Sequence, residues 1–173
     1  PKFNSILQIA EQFDDYSILV KLVEVAGLAD LLSDPNSGPI TVFAPNNNAF
    51  AVLLDQLLIT IDDLINLPIL EDVLKYHLLA GFKLTTDLGT GNYQTLGGNG
   101  KEIQSIYINS DNYNGYLGGF DITGIYLEDQ QNDHKNLIIG NVRSNNGVVN
   151  VINRVMIPLF ESIYQIASSF DDY

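Results

Sequence analysis

The first half of the chain spaces its apolar residues three and four apart, as helices with one buried face do. Ile6, Ile9, Ala10 and Phe13 share one face of a predicted first helix. Between the helical stretches, residues 40–44 are rich in strand-forming residues and flanked by prolines, which predicts a strand. Further helices are predicted over residues 18–26 and 28–32, after the N-cap Asn46, after Thr60, and over 70–78.

The second half has shorter apolar runs separated by Gly, Asn and Asp, a pattern typical of strands and turns. Val149, Val151, Val155 and Ile157 alternate towards one predicted face, which Asn153 interrupts. Helices followed by antiparallel strands predict an α+β domain. The predicted strands cover residues 83–88, 93–96, 103–109, 119–127, 137–142 and 148–157.

Residues 105–135 form a predicted insertion, because they are unusually rich in Tyr, Asn, Gly and Asp. Gly and Asn suit tight turns, so we expect a long hairpin or an elaborated loop. Aromatic residues accompany the turns, and exposed tyrosines are typical of recognition surfaces. The alternative is that these rings simply cover the sheet. The candidate partner-binding residues are Tyr107, Tyr113, Tyr116, Phe120 and Tyr126.

The end of the chain repeats its beginning. Residues 161–173 match residues 4–16 at nine of thirteen positions, at a constant offset of 157. We therefore predict a domain over residues 1–159, with residues 160–173 forming the first helix of a following repeat. The alternative is one domain whose two terminal helices have converged on similar patterns.

Composition limits the possible partners. The formal net charge is −13, from 21 acidic and 8 basic residues, which disfavours nucleic acid and anionic membrane surfaces. The sequence has no apolar run of the roughly 20 residues that a membrane helix needs, so we expect no membrane insertion. Cysteine is absent, which excludes disulfides, thiolate metal sites and cysteine nucleophiles.

Catalytic motifs are missing from the sequence, which has no nucleophile elbow, P-loop, dinucleotide fingerprint or His-Glu-x-x-His. We expect no enzymatic activity and no cofactor. The two histidines, His77 and His134, lie far apart in sequence, and the Asp and Asn residues of the insertion fit an EF-hand loop poorly. We therefore expect no metal site.

Three segments, in order, resemble the signatures of the fasciclin-like (FAS1) domain family. They are Thr41-Val-Phe-Ala-Pro-Asn-Asn-Asn-Ala-Phe50, Leu74-Lys-Tyr-His-Leu-Leu-Ala-Gly81 and Asn146-Gly-Val-Val-Asn-Val-Ile-Asn-Arg-Val-Met-Ile-Pro158. The resemblance implies a wedge of β-strands packed on a layer of short helices. It also implies a secreted or surface-anchored protein that adheres to cell-surface or matrix proteins or polysaccharides, beside neighbouring FAS1 repeats. Some proteins similar in fold bind carotenoids, so a small apolar ligand is the alternative function.

The resemblance also suggests site residues. Tyr76 and His77 match the family's Tyr-His segment, which implies partner contact. The alternative is a buried His77 satisfied by polar neighbours, because His77 lies in the apolar stripe of its helix. Asn47 is a capping or turn residue, or joins Asn150 and Asn153 in a polar network. The family usually has His and Asp at the last two positions, so this chain keeps hydrogen bonding there but loses ionisable groups.

Overall fold

A computed structural model describes residues 3–97, 102–108, 124–128 and 134–158. The helices in this part of the chain are α1 Ile6–Glu11, α2 Ser17–Val25, α3 Ala29–Ser33, α4 Asn47–Leu57, α5 Ile61–Ile65 and α6 Leu70–Lys75, and a 3₁₀ turn covers Asp14–Tyr16. The strands are β1 Ile40–Pro45, β2 Leu78–Ala80, β3 Gly91–Gln94, β4 Glu102–Ile108, β5 Gly124–Glu128, β6 His134–Arg143 and β7 Gly147–Ile152. No helix in the described ranges is long and apolar enough to span a membrane.

Side-chain caps fix where several helices begin. In α1 the Ser5 hydroxyl accepts from the Gln8 amide at 3.2 Å, and Gln8 Oε1 accepts from the Ser5 amide at 3.0 Å, which forms a capping box. Asn46 caps α4 as predicted, because its Oδ1 accepts from the Ala49 amide at 2.9 Å. Capping defines the ends of these short helices, and tertiary packing supplies most of their stability.

The seven strands lie in the order β2-β1-β7-β6-β5-β4-β3. All neighbours are antiparallel except β1 and β7, which run parallel with Thr41 opposite Val148. Gly147 begins β7 directly against Ile40, where a Cβ would collide with the Ile40 backbone. The first signature strand therefore pairs with the last one across more than a hundred residues of sequence.

Two apolar clusters hold the sheet. The helices bury one cluster, which includes Leu22, Phe50 and Val149. The second cluster contains Phe43, Tyr76, Leu79, Leu88, Ile103, Leu127, Ile152 and Met156. The alternation of β7 separates the two, since Val149 belongs to one and Ile152 to the other. The predicted α+β class is confirmed.

Four predicted details were wrong. Residues 83–88 form a turn instead of a strand, in which Asp87 Oδ2 accepts from the Leu84 amide at 2.8 Å. The strand Leu78–Ala80 was not predicted, and one strand pair is parallel. The last strand ends at Ile152, so Val155 and Ile157 follow it. Residues 109–123 and 129–133 of the predicted insertion, and the predicted repeat helix 160–173, lie outside the described residues.

Candidate functional site

Tyr76 and His77 lie inside the domain, at the junction between α6 and β2. Their exposed fractions are 0% and 3%. The Met156 amide donates to His77 Nε2 at 2.8 Å, so Nε2 carries no proton. Nδ1 lies 2.7 Å from the Val73 carbonyl oxygen and must be the protonated nitrogen that donates to it. His77 is thus a neutral imidazole that joins α6 to the segment after β7.

The backbone of His77 strengthens this junction, because its carbonyl oxygen accepts from the Phe43 amide of β1 at 2.9 Å. One residue therefore connects α6, β1 and the segment after β7. The structure favours the alternative in which His77 is buried and satisfied by its neighbours. Direct partner contact through Tyr76 or His77 stays a prediction, and neither ring presents an exposed face for it.

Asn47 forms side-chain hydrogen bonds that stabilise the beginning of α2. Its Oδ1 accepts from the Ile18 amide at 3.1 Å, and its Nδ2 donates to the Asp14 carbonyl at 2.9 Å and to Ser17 Oγ at 3.0 Å. These contacts give Asn47 a role in organising the fold. The predicted link from Asn47 to Asn150 and Asn153 is wrong, because the Asn47 side chain bonds to the 3₁₀ turn and α2 instead.

Asn150 is fully buried on β7 and organises a bulge in β6. Its Oδ1 accepts from the Asn141 amide at 2.8 Å, while its Nδ2 has no hydrogen-bond partner among the described residues. Asn141 has a left-handed φ of 62° and contacts Thr85 through both of its side-chain polar atoms, at 2.8 Å each. Asn150 therefore indirectly fixes the loop that follows β2. Asn153 is half-buried, and its carbonyl oxygen accepts from the Arg154 guanidinium at 2.9 Å.

Asn146 is a central polar residue to which the sequence assigned no role. It is 3% exposed, and its Oδ1 accepts from the Ile6 amide at 3.0 Å. Its Nδ2 donates to the Leu32 carbonyl at 3.0 Å. Asn146 thus joins the start of α1, the end of α3 and the β6–β7 turn. Ile6 and Leu32 lie more than a hundred residues away, so the only sequence signal for this junction was the position of Asn146 in the last signature segment.

An apolar cleft of about 270 Å³ separates α1, the 3₁₀ turn and α2 from the sheet. Leu7, Leu74, Val149 and Val151 line its interior, and His77 contributes to its wall. Phe13 and Ile139 also line it, although 54% and 51% of their surfaces remain exposed. The cleft is therefore an apolar recess that solvent can reach, in which an apolar group would be sheltered from water.

Polar groups at this cleft are few. Asp15 and Tyr16 belong to its lining, and the Tyr16 ring meets Phe13 edge-on with centroids 6.3 Å apart. Burial and, secondarily, the negative charge of Asp15 raise the pKa of Tyr16. The phenol therefore stays protonated near neutral pH and can donate one hydrogen bond. The cleft chemistry suits an apolar group with at most a few polar atoms.

The insertion residues fall into two groups. Tyr107 lies on β4 and Tyr126 on β5, where the backbones pair as Tyr107 with Ile125 and Ile106 with Tyr126. Tyr113, Tyr116 and Phe120 lie outside the described residues. The role of this set in binding stays a prediction. Within the described ranges, no three His, Asp or Glu side chains gather as a metal site would require.

Comparison with known proteins places these features in a family. The fasciclin domain model matches residues 14–158. Two Synechocystis sp. proteins, sll1735 and sll1483, are each 30% identical to the chain. The aligned regions cover 88% of this chain and 97% of sll1735, and 89% of this chain and 73% of sll1483.

A solved FAS1 domain pair from the insect cell adhesion molecule fasciclin I has the same fold. The TM-score is 0.63 at 14% identity, over 90% of this chain and 51% of that chain. The protein therefore spans about half the length of the domain pair. With three signature segments in order, a matching fold and a family match over most of its length, the chain belongs to the fasciclin domain family.

Proposed function

We propose that the protein is a non-catalytic adhesion module that works outside the cell, in a tandem array. The observation that carries this proposal is the continuous fasciclin domain match over residues 14–158, since such domains are generally adhesion modules. The solved relative in fold comes from a cell adhesion molecule. The partner is a protein or polysaccharide of a cell surface or matrix.

The hydrogen bonds of the signature residues support a scaffold role for these residues, separate from recognition of the partner. His77, Asn47 and Asn146 use their side chains to join helices and strands, so the signatures stabilise the scaffold. Recognition then falls to surface segments held by that scaffold. The Tyr-rich insertion is our candidate, because tyrosine gives large contact area with few rotamers to immobilise.

Tyrosine replacement tests the recognition site. Purified protein is applied to cells and to matrix-coated surfaces, with Tyr107, Tyr113, Tyr116 and Tyr126 changed to Ser. We expect these changes to reduce retention at least tenfold while circular dichroism stays unchanged. Leu58→Ser is the matched control, since Leu58 is 89% exposed on the helical side. Retention that survives the Tyr changes would rule out the insertion as the recognition site.

A second candidate function is binding of a small apolar ligand, which the cleft of about 270 Å³ favours. This volume is close to the lower end of known ligand sites, about 300–1,000 Å³. A long polyene would place only one end inside. The test is uptake of a carotenoid, followed by absorption, with Ala10→Phe narrowing the cleft. Equal carotenoid uptake by the unaltered protein and the Ala10→Phe variant, or no uptake by either, would contradict this function.

A further inference from the structure

The contacts of α1 indicate what the repeated segment at the end of the chain can bind, because the two segments are similar in sequence. Helix α1 packs against α2, α3 and β7, and its first amide donates to Asn146. We call this surface, formed by α2, α3, β7 and Asn146, the α1 site. Residues 161–173 lie outside the described residues.

The C-terminal copy keeps the residues that α1 uses. Ser162 and Gln165 match the capping pair Ser5 and Gln8. Three of the four differing positions, Asn4, Glu11 and Gln12, are exposed in the first copy. The retained residues that line the cleft in the first copy are Ile6, Ile9, Ala10, Phe13, Asp15 and Tyr16, which recur as Ile163, Ile166, Ala167, Phe170, Asp172 and Tyr173. Similarity is thus concentrated where the first copy packs or caps.

The fourth difference, Tyr164 in place of Leu7, falls where the structure has room. Leu7 is buried and borders the cleft of about 270 Å³. A larger ring on the same helix face can extend into that space instead of forcing the core apart. In most cores such an increase in size is destabilising. Here the exchange is compatible with the same docking mode.

We propose that residues 161–173 dock on the α1 site of another domain of this kind, which for the purified chain is a second copy of itself. Helix α1 occupies this site in every copy of the domain, so docking requires an acceptor whose own α1 has left the site. The interface is then head-to-tail, since the C-terminal segment of one domain enters the N-terminal site of the next. The copied amide at Ile163 would donate to the acceptor's Asn146, as the Ile6 amide does.

The resident α1 competes with the incoming copy. A segment tethered to its own domain acts at a millimolar effective concentration, so exchange in the unaltered chain is disfavoured at low protein concentration. An acceptor with a weakened α1 makes the site accessible. Ile6→Asp places a charge at a position that is 4% exposed, which should release α1 from the site.

Disulfide trapping tests the docking directly, because the chain has no cysteine of its own. The Asn145 amide donates to the Asn4 carbonyl at 3.0 Å, and Glu161 is the counterpart of Asn4. Disulfides join Cα atoms about 4.4–6.8 Å apart, which suits such neighbours. The acceptor carries Ile6→Asp and Asn145→Cys, and the donor carries Glu161→Cys. We expect a mixed disulfide dimer at least tenfold above that of a donor also carrying Ile163→Asp and Ile166→Asp.

Equal trapping of the two donors would overturn the proposal. So would a chain with both cysteines, at 145 and 161, that closes its disulfide within the monomer. The proposal depends on the tandem organisation proposed above, but trapping uses no adhesion surface. A failure of adhesion would therefore leave this result standing, and the reverse also holds.

A second measurement applies even where the Ile6→Asp acceptor does not fold. Leu7→Tyr in the otherwise unchanged chain should leave the melting temperature within about 3 °C, because the ring enters the cleft. Leu7→Asp, as the matched variant, should lower it much further. A Leu7→Tyr protein as unstable as Leu7→Asp would show that the C-terminal copy does not fit the α1 site.

Discussion

At the scale of single residues, buried amides and one imidazole connect elements that are distant in sequence. His77 joins α6 to the segment after β7, and Asn146 joins α1 to α3 and the β6–β7 turn. A buried polar group left without a partner is destabilising, so each of these contacts constrains the fold. The sequence marked His77 as a candidate site, and its spacing in an apolar stripe also indicated burial.

Replacing His77 by Phe should destabilise the domain by about 2–5 kcal/mol, because the Met156 amide and the Val73 carbonyl both lose their partner. Denaturant unfolding followed by circular dichroism measures the change. Lys75→Gln is the control, since Lys75 forms only a partly exposed ion pair with Glu71. That change should be below about 0.5 kcal/mol. A similar loss in both variants would contradict the structural role of His77.

Leu58 is a residue in a conformation that suits it poorly. It ends α4 at φ 56° and is 89% exposed. Asn adopts this left-handed conformation more readily than Leu does. We expect Leu58→Asn to stabilise the protein by about 0.5 kcal/mol, measured as a higher denaturation midpoint. A lower midpoint would mean that Leu58 makes apolar contacts that outweigh the backbone strain.

At the scale of elements, local capping chemistry can be read from the sequence and carries its own pH dependence. Thr60 and Asp63 form the capping box of α5, in which Asp63 Oδ2 accepts from the Thr60 amide at 2.8 Å and from its hydroxyl at 2.7 Å. These hydrogen bonds lower the pKa of Asp63, because they favour the carboxylate. Protonation of Asp63 would weaken the cap.

The sign of this effect follows from linkage. A folded-state pKa below the unfolded one gives stability that is present above the ordinary Asp pKa of about 3.9 and is lost as pH falls through the folded-state pKa. Asp63→Asn should therefore lower the melting temperature at pH 7, with the difference from wild type shrinking in acid. A difference that is constant down to about pH 2 would contradict a role for the carboxylate charge.

The elements also show why sequence patterns reach only part of the fold. Helical spacing located the helices because their stability depends on one buried face. Residues 83–88 have strand-like composition, but Asp87 closes a local turn and Asn141, 56 residues away, holds Thr85. Leu78–Ala80 is too short for periodicity to separate it from the preceding helix. The pairing of β1 with β7 depends on contacts that no local pattern encodes.

At the scale of the whole molecule, sequence similarity predicted the family, whereas the cleft appeared only in three dimensions. Its lining comes from α1, α2, α3, α6 and four strands, so no contiguous segment indicates it. The family signatures proved to contain residues that hold the scaffold together. In the proposed adhesion function, the scaffold is rigid and its outer surface recognises the partner. Repetition of the module then strengthens binding that is weak for a single module.

The number of linked modules is the property that tests the proposed adhesion function most directly. One protein contains residues 1–159 as a single module, and a second contains two such modules joined in tandem. The two are compared at equal module concentration on the same cell or matrix surface, and their dissociation is followed in real time. We expect the two-module protein to be retained about 10²–10⁴-fold more strongly, as linked weak contacts predict. Equal retention of one and two modules would contradict the account.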